Sequence, residues 1–115
     1  MNSIKNSITL IGNLGKDPEI KQLQSGRSVA RFSLATNETY KNQKGDKVTS
    51  TQWHTIVAWG KTAETMNTFL KKGKEVIIHG KLTYRSYADK DGVTRSIPEI
   101  VADEFVLLNK AEDVV

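Results

Sequence analysis

A five-stranded Greek-key barrel with one helix between its third and fourth strands is the architecture that this 115-residue sequence predicts. Three observations point there. Strand-like runs of alternating polarity recur along the chain, each bounded by turn chemistry. One stretch alone, residues 62–72, repeats its apolar residues at helical spacing. The length suits a single domain with a modest core.

The elements follow in order. Residues 3–12 place Ile4, Ile8, Leu10 and Ile11 among polar neighbours and read as a first strand ending at Gly12. Gly15 and Asp17-Pro18 then supply a loop, and residues 19–23 a short strand continuation before the turn at Ser25-Gly26. Residues 28–38 alternate: Ala30, Phe32, Leu34 and Thr36 on one side, Val29, Arg31, Ser33 and Ala35 on the other. Residues 41–47 form a polar loop with three lysines, joining this strand to the next as a hairpin.

The next strand, over residues 51–61, is the most informative stretch. Trp53, Thr55, Val57 and Trp59 share one side; His54, Ile56 and Ala58 share the other. The second set suits a packed interior. The first puts both tryptophans of the chain on one face. In the helix, Ala63, Met66, Phe69 and Leu70 are expected inside, Thr62 as cap, and Lys71, Lys72 and Gly73 at its end. Residues 75–87 give a long fourth strand, with Val76, Ile78, Gly80, Leu82 and Tyr84 on one side. Ile77, His79, Lys81, Thr83, Arg85 and Tyr87 lie on the other. Asp91-Gly92 marks a hairpin, and residues 93–108 return as a fifth strand, where Pro98 argues for an edge or a bulge. The expected division is a domain over residues 1–110 and a short C-terminal end over 111–115. Five strands with one helix between the third and fourth is the order of an OB-fold.

The side chains on these strands suggest what the barrel binds. Lys plus Arg exceed Asp plus Glu by 17 − 13 = 4, a modest bias toward a polyanionic partner. A binder of extended single strands needs cations along the backbone path and aromatic faces for stacking. Trp53 and Trp59 on one strand, Tyr87 with Lys81 and Arg85 on another, and Tyr40 at the base of the lysine-rich loop provide both. Each aromatic has an ordinary packing role as its alternative; two on one face, opposite an aliphatic face, favour a platform.

Several segments resemble bacterial single-stranded DNA-binding proteins. Trp53-His54, the hydrophobic run after it and Trp59-Gly60-Lys61 are similar to that family's central strand. Residues 11–19, Ile-Gly-Asn-Leu-Gly-Lys-Asp-Pro-Glu, resemble its opening turn; residues 29–36 its second strand; Phe69-Leu70-Lys71-Lys72-Gly73 its helix end. The resemblance implies an OB-fold that coats single-stranded DNA without sequence preference in replication, recombination and repair. It implies base stacking on Tyr40, Trp53, Trp59 and Tyr87, and a phosphate path near Lys61, Lys72, Arg85 and Arg95. It implies a homotetramer, with His54 at or near a subunit contact, in the bacterial cytoplasm near the nucleoid. The family's acidic tail is at most faintly echoed by Glu112-Asp113-Val114-Val115, which leaves partner recruitment in doubt.

Other classes find less support. There is no cysteine, so disulfides and thiolate metal sites are excluded. No long apolar run suggests a membrane span, and residues 1–7 resemble neither a signal nor a transit peptide. The two histidines show no metal-ligand spacing, and no phosphate-binding Gly-Lys loop is present, so no cofactor, metal or enzymatic activity is expected. An RNA-specific OB-fold and a protein-interaction subunit are the alternatives, with a small nuclease last.

Overall fold

The computed structural model describes residues 4–108. The order is β1 (Ile8–Leu14), β2 (Glu19–Gln22), β3 (Ser28–Lys41), β4 (Lys47–Trp59), α1 (Gly60–Phe69), β5 (Glu75–Ala88) and β6 (Thr94–Leu108). The sheet runs β1-β5-β6-β4-β3-β2, and β1 closes it by also pairing with β3 at Asn13 and Leu14. The strands β1, β3, β4, β5 and β6 therefore make a closed five-stranded barrel. The short β2 pairs only with β3, through residues 19–22, as a continuation outside the ring. The expected OB-fold architecture holds. The division at residue 110 and the short end over 111–115 lie outside the described residues.

Alternation decides which residues enter the barrel. Ala30, Phe32 and Leu34 of β3, Ile56 and Ala58 of β4, and Val76 and Ile78 of β5 are all buried in one cluster. Ile100 and Ala102 of β6 join them, with Ala63, Met66 and Leu70 packed on from the helical side. Burying a single Leu or Ile side chain contributes about 1.5–3 kcal/mol. This shared cluster is thus the main force closing the ring.

Both long hairpins start in the barrel and leave it. In β3 the burial ends after Ala35, and from Asn37 to Lys41 every residue is exposed. In β5 it ends after Gly80. The distal halves of β3–β4 and β5–β6 thus project as two-stranded ribbons above the ring. Asn42 Oδ1 accepts from the backbone N–H groups of Lys44 and Asp46 at 2.9 and 3.0 Å and shapes the first tip. Asp89 Oδ1 does the same for Asp91 and Val93 at the second.

Three details differ from the sequence expectation. The helix begins at Gly60, with Trp59 in the cap position and no side-chain cap; Thr62 lies inside its first turn. It ends at Phe69, so Lys71, Lys72 and Gly73 fall in the turn beyond it. Phe69, expected inside, is 55% exposed, and Leu70 takes the interior place. Among the described residues, Pro98 sits where β6 has β5 alone beside it, since the parallel pairing with β4 is made at Ile100 and Val101. That satisfies the edge expectation, because a proline there withdraws no needed donor. A register shift occurs nearby, where His79 and Gly80 of β5 pair with Glu104 and Ala102 and leave Asp103 as the extra residue. A side chain at Gly80 would run into the Val101 carbonyl, so glycine is required for that close approach.

Candidate nucleic-acid interface

The pleat opposite the core presents a continuous outer face across β3, β4, β6 and β5. Direct partners across β3 and β4 are Ala35 with Trp53, Ser33 with Thr55, Arg31 with Val57 and Val29 with Trp59. Across β5 and β6 they are Lys81 with Val101, Thr83 with Glu99, Arg85 with Ile97 and Tyr87 with Arg95. Because β4 and β6 pair in parallel at Ile56–Ile100 and Val57–Val101, these two sets form one surface. The expected facing of Trp53, Thr55, Val57 and Trp59 is what the ladder gives.

The two tryptophans differ in setting. Trp53 is 63% exposed, although it lies on a strand within a barrel. Its ring rests against Gly15: a Cβ there would stand 2.6 Å from the indole. Glycine at position 15 therefore leaves room for the ring. Trp59, six residues along, is half-buried, and the Arg27 guanidinium lies over it at 5.1 Å from the ring centroid. That is a cation–π distance. At the strand rise the two tryptophans are about 20 Å apart. A cleft of about 350 Å³ lined by Glu19, Lys21, Leu23, Val29 and Arg31 opens beside Trp59. Another, of about 200 Å³, lies between the two hairpins, with Trp53, His54 and Thr55 on one wall and Leu82, Ile97 and Pro98 on the other.

Between the tryptophans the expected Arg85 joins Arg31 and Glu99, two charges that the sequence did not single out. Arg31 Nη1 donates to Glu99 Oε2, and Arg85 Nε forms an ion pair with the same oxygen at 3.2 Å. The Glu99 side chain is 7% exposed, those of Arg31 and Arg85 40% and 53%. The reach of Arg31 from β3 to β6 crosses β4 at Val57, which is buried although it faces outward. A lone arginine in an alternating strand gives no signal of this, because the partner lies two strands away. Glu99 is a carboxylate buried within a strand.

The remaining expected residues spread around this centre. Lys81 is exposed on the outer face, and Tyr87 is 40% exposed on the β5–β6 ribbon. Arg95 Nε donates to Asp89 Oδ2 at 2.8 Å, closing the ribbon tip. The Arg95 guanidinium, helped by the backbone N–H of Val93 and Asp91, holds the Asp89 carboxyl below its ordinary range. Tyr40 is 53% exposed on the β3–β4 ribbon and pairs with Val48, on the opposite pleat from Trp53. Lys61 lines a cleft of about 270 Å³ between α1 and β6 together with Asp103 and Glu104, rather than the clefts beside the tryptophans. The Lys72 backbone N–H donates to Asp17 Oδ1 at 2.7 Å and fastens the loop that carries Lys16. Lys16 in turn lines a cleft with Arg31, Ser33 and Thr55. His54 is half-buried, its Nε2 hydrogen-bonded to Thr36 Oγ1 at 3.0 Å.

One further cluster invites a chemical reading. Ser7 Oγ lies 2.8 Å from His79 Nε2, and His79 Nδ1 lies 2.9 Å from Asp103 Oδ1. The atom order is that of a hydrolase triad, in which the aspartate is buried. Here the Asp103 side chain is 46% exposed on the outer surface. The chain of bonds ties the segment before β1 to β5 and to the bulge of β6. Among the described residues, no group of three or more His, Asp or Glu is arranged to hold a metal ion. No helix among them is long and apolar enough to cross a membrane.

An OB-fold barrel whose outer face carries exposed aromatic and paired cationic side chains defines the class of protein. The Single-strand binding protein family model matches residues 5–108, and the chain belongs to that family. It is 42% identical over 103 residues to the single-stranded DNA-binding protein of Neisseria meningitidis serogroup A, covering 90% of this chain and 59% of that protein. Single-stranded DNA-binding protein 1 of Xylella fastidiosa strain 9a5c is 41% identical over 109 residues, covering 94% and 80%. The chain thus spans less than two thirds of the Neisseria relative's length. The Plasmodium falciparum protein solved in complex with single-stranded DNA superposes with a TM-score of 0.83 and 34% identity, covering 95% of this chain and all of that one. A deletion mutant of the Thermus aquaticus single-stranded DNA binding protein gives 0.80 at 25% identity, covering 92% of this chain and 51% of that one.

Proposed function

We propose that this protein binds single-stranded DNA without sequence preference and protects it during replication, recombination and repair, with no chemistry of its own. The observation that carries the reading is Trp53, a tryptophan 63% exposed on the outer face of a central barrel strand. A large aromatic ring exposed on a rigid strand offers a face on which bases can stack. Trp59 and Tyr87 extend it, and Tyr40 adds a ring on the other side of the β3–β4 ribbon. Lys81, Arg85 and Arg31 supply positive charge for phosphates, with Lys61, Lys72 and Arg95 at the margins. Such a role places the protein in the bacterial cytoplasm with the nucleoid. The likeness to a Plasmodium structure containing single-stranded DNA supports the same ligand here.

Assembly into a homotetramer belongs to the same proposal. Ile11, Ile77 and Val106 are paired in one row across β1, β5 and β6 and point away from the core. Ile11 is 55% exposed and Val106 56%. Beyond Asn13 and Leu14, β1 has β5 alone as its ladder partner among the described residues, so residues 8–12 keep an open edge there. A second copy can cover the row and extend the edge. His54 is kept as a candidate subunit contact.

Tryptophan fluorescence during titration with oligo-dT tests the reading. Strong quenching with oligo-dT and little with duplex DNA is the expected result. No change with oligo-dT would contradict it, and preference for oligo-U would favour RNA.

A further inference from the structure

We infer that Glu99 is a positioning residue, a buried carboxylate that holds Arg31 and Arg85 as a fixed pair of phosphate-binding guanidinium groups between the two tryptophans. The inference rests on the single-stranded DNA reading above and assigns two groups to it, Arg31 and Glu99, that the sequence did not single out.

The geometry is convergent. Arg31 of β3 and Arg85 of β5 come from opposite sides of β6 and meet on the same oxygen, Oε2 of Glu99. Glu99 is itself fixed: it lies within the β5–β6 ladder opposite Thr83, whose Oγ1 donates to the Glu99 carbonyl at 3.3 Å. The carboxylate is more than nine-tenths buried, whereas both arginines are about half exposed.

That asymmetry decides what happens when a phosphate arrives. Two readings compete: the arginines desert Glu99 for the phosphate, or they bind it while still held. An exposed guanidinium loses little by changing partner, because water replaces the bond. A buried carboxylate stripped of its cations is an uncompensated charge in a poor solvent, one of the costliest local changes a fold can suffer. The arginines therefore stay. A guanidinium has five N–H donors, and one bond to Glu99 leaves the rest of each fork for a phosphate. Glu99 also cancels repulsion between the two cations, which would otherwise drive them apart. The centre of the face thus offers pre-ordered donors at a net charge of +1 (two arginines and one glutamate), so less side-chain freedom is lost on binding.

The test compares oligo-dT affinity and its salt dependence in wild type, Glu99→Gln, Arg31→Ala/Arg85→Ala and the triple variant. Thermal melting of each confirms that the measuring temperature lies below the transition. Glu99→Gln should weaken binding about tenfold, the size of one lost charge-assisted contact, even though it raises the net charge by one. Its salt slope should become shallower, by about 0.7 for each phosphate contact given up. In the background lacking both arginines the same substitution should cause no loss. Tighter binding with a steeper slope would overturn the inference, because Glu99 would then only cancel charge. An equal loss in both backgrounds would also overturn it, marking a purely structural role. Arg31→Lys, at an exposed side chain, gives a second arm that does not depend on tolerance at Glu99. It keeps the charge and loses the fork, and it should bind more weakly with an unchanged melting temperature; binding equal to wild type would count against the inference. A wild-type protein that ignores oligo-dT would fail the functional reading itself, a result distinct from each of these.

Discussion

Two outward faces of the same barrel carry opposite chemistry. One, over β3, β4, β6 and the upper part of β5, presents Trp53 and Trp59 with Arg31 and Arg85 between them. The other, over β1, the lower part of β5 and the end of β6, presents Ile11, Ile77 and Val106. Both are pleats turned away from a common core, and neither is needed to fill it. Aromatic rings with ordered cations suit a flexible polyanion, which offers bases and phosphates. Branched aliphatic side chains beside an open strand edge suit another protein surface. The division between the faces runs along β5 itself. Ile77 and Arg85 share a pleat, and the β6 bulge at Asp103 sits between their levels. His79 stands at the division, engaged with Ser7 and Asp103 rather than open to a ligand.

The largest expected effect separates the faces outright. Val106→Asp puts a carboxylate into the aliphatic row, where an uncompensated buried charge costs several kcal/mol. Light scattering at micromolar concentration should shift from a four-subunit mass to a smaller one, while oligo-dT still quenches tryptophan fluorescence. A single-subunit mass for the wild type would remove the proposed assembly.

Next comes the stacking face. Trp53→Ala should weaken oligo-dT binding by about 1–3 kcal/mol, with little change in melting temperature, because the ring is mostly exposed. Trp59→Ala should lower both affinity and stability, since its ring is half-buried beneath Arg27. If Trp53→Ala instead unfolds the barrel, Trp53 is a packing residue and the contrast between the two positions is lost. Gly15→Ala is a finer version of the same test: the added methyl must displace the Trp53 ring, so affinity should fall by less than in Trp53→Ala. An affinity equal to wild type would show that the ring's seat does not matter.

The smallest effect belongs to the ribbon tip. The Asp89 carboxyl is depressed by Arg95, so its contribution to stability is fully present above the ordinary carboxylate pKa. It is lost as pH falls through the lowered folded value. Asp89→Asn should therefore lower the melting temperature slightly at neutral pH, and the difference should vanish in strong acid. A difference that persists in strong acid would mean that Asp89 acts through the turn's geometry rather than its charge.

Much of this was legible in the sequence where one strand's alternation suffices. The sidedness of Trp53, Ile56 and Trp59 needed only the two-residue period of a strand, and the run from His79 to Tyr87 likewise. Contacts between strands were not legible. Arg31 and Glu99 meet only because β6 lies beside β4 in parallel, and no local pattern encodes that neighbour. Tyr40 shows the same limit: its distance from Trp53 is set by the hairpin register, which places them on opposite pleats. At the helix, Phe69 and Leu70 were both plausible interior residues. The buried residues Ala63, Met66 and Leu70 follow the i, i+3, i+7 spacing of one helix face, and Phe69 falls beside that stripe.

The aromatic and cationic face is expected to bind the strand, and the aliphatic face is not. Titrating ¹⁵N-labelled protein with oligo-dT and following side-chain and backbone N–H resonances tests it directly. The indole signals of Trp53 and Trp59 and the guanidinium signals of Arg31 and Arg85 should move together. The backbone amides of Ile11, Ile77 and Val106 should stay in place. Shifts concentrated at Ile11, Ile77 and Val106, with the indole signals unmoved, would contradict it.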